Sequence, residues 1–231
     1  MDAVRIPEAG TLGGLFRGQL LHVVALVVLV PATWLAAGRS LRGETLLGLA
    51  DTTWLALGIA APVVHQVYVW LAWRLQLGWN AFGRGFGDHG LTVYMIGFFP
   101  LLLTRPLGVI ALGWVTRDSL PLPWAVVLPL AVLLALPAAW TQWSVIRWFG
   151  YRRAAGADHF EARYREMPLV RQGAFRHTPN AMYAWGFLSL WVLALLLRSE
   201  AALVLVAFQH LYIWVHWHAT EKPDMRWIYS S

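Results

Sequence analysis

Cysteine is absent from the 231 residues, which excludes disulfides, thiolate metal sites and a cysteine nucleophile. Charge is scarce too. Only 13% of residues are Asp, Glu, Lys or Arg, against roughly 25% in a soluble domain. Lysine is nearly missing, so the net charge of +6 comes from arginine. No internal repeat or low-complexity tract interrupts the chain. Met1 to Gly14 is polar, and the first apolar run follows Arg17 without a cleavage site, unlike a removable signal.

What remains is apolar: 58% of residues are hydrophobic and the mean hydropathy is +0.54. That makes lipid the main solvent for the surface. A span takes about 20 residues, so the expected fold is all-α, a polytopic membrane helical bundle of about six spans ending in a hairpin. Residues 1–231 form one membrane domain, with scaffold spans in 18–146 and the chemistry in 147–231. The basic balance points to cytoplasmic loops and anionic headgroups, not to nucleic acid. Most of the fifteen Trp residues read as interface anchors.

The spans are expected at 18–38, 45–76, within 90–116, and at 123–149, 178–198 and 201–220. The start of the second, with Asp51, is expected at the interface. His65 and Gln66 belong in a helix interior. Gly83 to Gly87 reads as a flexible turn, because no strand precedes it to make a phosphate loop. Arg105 is expected near an interface, since an arginine at mid-membrane costs about 3 kcal/mol or more. Residues 150–173 read as an interfacial helix plus loop. The arginine excess in 147–176 places that segment in the cytoplasm.

Two polar clusters bracket the last hairpin. In the second, His210, Trp214, His218 and Glu221 are spaced to share one helical face. His216 and His218, two apart, point roughly 200° apart and cannot share an ion, so no metal is expected. In the first, Arg176 and His177 precede Pro179, with Asn180 and Tyr183 in the first turn. Pro179 suits a helix start. Free N–H groups there, with the Arg176 guanidinium, can receive a carboxylate or phosphate.

The block Phe175-Arg-His-Thr-Pro-Asn-Ala-Met-Tyr183 resembles an element of integral membrane methyltransferases, the phosphatidylethanolamine and isoprenylcysteine enzymes. The block Glu221-Lys-Pro-Asp-Met-Arg-Trp-Ile-Tyr229 is similar to the C-terminal end of the phosphatidylethanolamine enzymes, with Lys222 where they have a second Glu. The resemblance implies S-adenosylmethionine held between the last helices by Arg176, His177, Pro179, Asn180, Tyr183, His218, Glu221 and Tyr229. For catalysis, Glu221 is expected to hold the cofactor's amino group or the substrate amine, and His177 or His218 to take the acceptor's proton, since histidine titrates near neutrality. Arg152, Arg153, His210 and Trp214 are expected to contact a membrane phospholipid, most simply the amine of phosphatidylethanolamine. A prenyl-cysteine carboxylate or a thiol remains an alternative acceptor, and a sterol-reductase-like activity an alternative chemistry. The expected setting is a bacterial cytoplasmic membrane, with the active site facing the cytoplasm.

Overall fold

The computed structural model describes residues 6–229. Helix α1 (Leu12–Phe16) turns at Gly18 into α2 (Gln19–Gly38). A two-stranded hairpin follows, β1 (Thr45–Leu46) paired antiparallel with β2 (Leu49–Ala50). Helix α3 (Asp51–Trp79) and the short α4 (Ala81–Phe86) lead to α5 (Gly90–Val115). Next come α6 (Trp124–Ser144), α7 (Tyr151–Ala154), α8 (Ala162–Arg165) and α9 (Leu188–Leu196). Helix α10 (Glu200–His216) closes the hairpin, and α11 (Lys222–Tyr229) ends the described chain. Residues 1–5 of the polar N-terminal lead lie outside the described residues.

The architecture is the expected all-α bundle. Among the described residues, four helical segments are long and apolar enough to cross a membrane: Leu12–Gly38, Asp51–Trp79, Ala81–Val115 and Trp124–Phe149. The two members of the last hairpin are shorter, an apolar Met182–Leu196 and α10. Leu20, Val24, Val27, Val28 and Leu35 of α2 lie exposed, as do Leu133 and Leu136 of α6. Lipid suits such a surface, as an exposed apolar face this large is not stable in water. Helix α3 packs along α5, α10 along α2, and α6 along α9. Leu55, Val109, Leu112, Leu205 and Phe208 fill the centre.

Asp51 is buried at the start of α3. Its carboxylate accepts the backbone N–H of Arg42 at 2.7 Å, Gly43 at 2.9 Å and Thr52 at 2.7 Å, which closes the β-hairpin onto the helix. Several local expectations are corrected. Most of Gly83 to Gly87 is helical in α4 rather than a flexible turn. Residues 90–115 make one helix with Pro100 and Pro106 inside it. Arg105 therefore sits within α5 at 2% exposure, not near an interface. Residues 150–173 form three short turns, α7, a 3-10 turn at Ala157–His159 and α8, in place of one interfacial helix.

At the far end of the hairpin, Ser199 caps α10 by accepting the Ala202 N–H at 3.0 Å. The Ser199 hydroxyl also meets that of Thr116 at 2.6 Å, and Arg198 pairs with Asp118 at 2.9 Å. The hairpin turn is thereby tied to the end of α5.

Candidate active site

Among the described residues, three π turns lie beyond residue 144: Val145–Phe149, Met182–Gly186 and Trp217–Glu221. A π turn adds one residue to a helical turn and rotates whatever follows. This overturns the ideal spacing of the sequence reading. His210 and Trp214 lie on the regular helix before the third π turn. His218 falls within it, lies exposed, and packs edge-on against Trp217. Glu221, at its end, meets Tyr183 of the second π turn, whose hydroxyl donates to Oε2.

Around that contact stands an aromatic wall. The Tyr183 ring is edge-on to Trp214 at 6.1 Å and to Phe187 at 6.4 Å. Phe187 lies 5.6 Å from His210. Trp191 Nε1 donates to His210 Nδ1 at 3.0 Å, which leaves the neutral ring's proton on Nε2. Glu221 lies just past the last span. Withdrawal from water pushes its carboxyl up to about 7, with the Tyr183 hydrogen bond acting in the opposite direction.

The other residues expected in the site lie elsewhere. Arg176, His177 and Pro179 are exposed. The His177 ring packs on Trp140 at 5.4 Å and Trp185 at 6.0 Å. The helix begins at Ala181, past Pro179, and the Asn180 carbonyl accepts the Tyr183 and Ala184 N–H groups. Arg152 pairs with Glu161 at 3.1 Å. Arg153 turns inward and donates to the Pro168 carbonyl at 3.0 Å. Among the described residues no group of His, Asp and Glu side chains converges to hold a metal.

A second polar centre went unread in the sequence. Asp224 of α11 is fully buried, with Oδ1 2.5 Å from Arg74 Nε and Oδ2 3.4 Å from His159 Nε2. His159 Nδ1 meets Asp158 Oδ1 at 3.2 Å, and the Tyr229 hydroxyl donates to Asp158 Oδ2 at 3.1 Å. Trp73 stacks on His159 at 3.9 Å. Burial alone would lower the His159 pKa, but Asp158 and Asp224 outweigh it and hold the imidazole up at about 9. Burial would likewise raise Asp158; contact with His159 and Tyr229 keeps its carboxyl below the ordinary value. Arg74 carried the available signal, a charge inside an otherwise apolar run. A cleft of about 390 Å³ opens alongside, lined by Gln76, Asn80, Arg152, His159, Glu161 and Arg163 among others.

The N-terminal segment completes the centre. Pro223 has no N–H to offer the Ala219 carbonyl. Gln19 Nε2 takes that place at 3.4 Å and also reaches Thr220 Oγ1 at 3.2 Å. Gly18 has φ +82, and a Cβ there would lie 2.3 Å from the Ala219 oxygen, so only glycine permits this approach. Arg74 Nη1 donates to the Gly14 carbonyl.

The family model described as phospholipid methyltransferase matches residues 126–231. That part, just under half of the chain, holds all three π turns, Tyr183 and Glu221, and is similar to the phospholipid methyltransferase family. Arg74 and Arg105 lie upstream of the match. No curated protein and no solved structure matches the chain.

Proposed function

We propose that the protein transfers a methyl group from S-adenosylmethionine to a membrane lipid, the amine of phosphatidylethanolamine or of its methylated forms. The Tyr183–Glu221 contact within the family-matched hairpin carries this reading. The cofactor supplies an electrophilic methyl group on a cationic sulfur. The residues present fit such a group. Glu221 offers a carboxylate to a cationic centre, and the rings of Tyr183, Phe187 and Trp214 offer π faces, which attract cations. An ammonium has no lone pair, so the acceptor must lose a proton before attack. Glu221, held near 7, takes a proton in the neutral range and is the proposed base.

Arg176 and His177, at the exposed start of the hairpin, are the proposed first contacts for the water-soluble cofactor. Arg152, at the polar cleft, is the proposed contact for a lipid phosphate, in keeping with the basic 147–176 segment and an anionic cytoplasmic leaflet. Asp224, Asp158 and Tyr229 hold α11 down and are assigned a positioning role, with Tyr229 a lid residue at the cofactor site.

The test is incubation of the purified protein in lipid nanodiscs with methyl-labelled S-adenosylmethionine and a total lipid extract. Label in an alkali-stable N-methylated headgroup supports the reading. Label released by alkali as methanol identifies a carboxylate acceptor instead, and no labelled lipid at all rejects lipid methylation.

A further inference from the structure

Arg105 lies apart from the Asp224 centre and borders the aromatic wall on its Phe187 side. Gly108 of α5 lies so close over α3 that a Cβ would meet the Gly58 Cα at 3.3 Å, and Leu205 of α10 closes the third side against Gly58. One to two turns along, these three helices carry His65, Arg105 and Gln209. Arg105 is 2% exposed, and its Nε donates to His65 Nδ1 at 3.2 Å. Among the described residues, neither Nη1 nor Nη2 has a partner, and both amide atoms of the buried Gln209 are also unpartnered. The guanidinium stands 5.6 Å from the Phe187 ring, and Tyr183 lies within its electrostatic reach.

A charge inside a bundle faces the interior and needs a counter-charge. His65 has no charge to give it when accepting through Nδ1. Two free N–H groups in a planar fork fit one chemical shape, the paired oxygens of a carboxylate or phosphate. A neutral hydroxyl or amide would leave the charge uncompensated.

We propose that Arg105, oriented by His65, is the receptor for an oxyanion carried by a ligand that enters the bundle beside Tyr183 and Phe187. This rests on the methyltransferase reading for the ligand's identity. Two ligands then carry such a group: the cofactor, through its amino-acid carboxylate, and a free fatty acid. His65 is a positioning residue.

Titration calorimetry on the full chain in phosphatidylcholine nanodiscs separates the sources, with S-adenosylhomocysteine and its decarboxylated analogue as probes. If the cofactor supplies the oxyanion, the wild type binds S-adenosylhomocysteine about ten-fold or more tightly than the analogue. Arg105→Gln then binds both alike, and Arg105→Lys, which keeps the charge should the glutamine variant fold poorly, retains part of the preference. If the lipid supplies it, the wild type binds the two nucleosides equally, and added oleate raises its melting temperature more than that of either variant. Equal nucleoside binding with no differential oleate effect overturns the proposal. If neither nucleoside binds and the oleate effect still depends on Arg105, the methyltransferase reading falls and the anion site stands.

Discussion

Asp224 lies between Arg74 and His159, 150 and 65 residues away in sequence, and touches both from a position with no solvent exposure. Removing one partner of a buried pair strands the other charge, at a cost of about 3–5 kcal/mol. Asp224→Asn should lower the melting temperature of the purified protein and make the 222–229 segment cleavable by protease. A variant as stable and as resistant as the wild type would show that the pairing does not hold α11.

The His159 shift fixes a pH dependence. Its folded pKa, about 9, lies above the ordinary 6.5, so the stabilisation is complete below pH 6.5 and is lost as pH rises through 9. The upper bound on the loss is about 3 kcal/mol. Asp158 acts at the other end, since its lowered pKa gives stability that is lost only in acid, below the ordinary carboxylate value. Melting temperature between pH 8 and pH 10, above the Glu221 titration, should fall more steeply in the wild type than in His159→Gln. Parallel curves would remove His159 as the cause.

Glu221 and Tyr183 give a kinetic prediction. Glu221→Gln should reduce methyl transfer about 100-fold or more while the protein still inserts and purifies normally. If Glu221 is the base, wild-type activity rises with pH through about 7. Tyr183→Phe removes a hydrogen bond that lowers the Glu221 pKa, so the rising limb should move to higher pH. A limb that stays in place would separate Tyr183 from the proton step.

Gly18→Ala tests the approach of the two terminal segments. The added methyl meets the Ala219 carbonyl, and the left-handed backbone adds about 1–2 kcal/mol. The melting temperature should drop by several degrees. Gly85→Ala, a helical position with open space around it, should cause no loss.

The bundle was legible because apolar runs of 20 or more residues admit one solution in lipid. Tyr183 and Glu221 were legible from their two sequence blocks, and the geometry joined them. His218 was misplaced because a period of 3.6 has no means of announcing a π turn. Asp224 gave no signal, since its partners lie on α3 and in the 157–159 turn. Arg105 was placed near an interface by the cost of burying it, a cost that the fold bears within α5.

The hydrogen bonds from Gln19 to Ala219 and Thr220 have a mechanical consequence. Helix α10, the π turn and α11 run without a break from residue 200 to 229, a rod of about 45 Å at 1.5 Å per residue. Its weakest point is the π turn, and the N-terminal segment is latched at that point. Bending there must first release Gln19, so the N-terminal strap and the α11 tip should loosen together, with amides in 12–19 and 222–229 exchanging at one common rate.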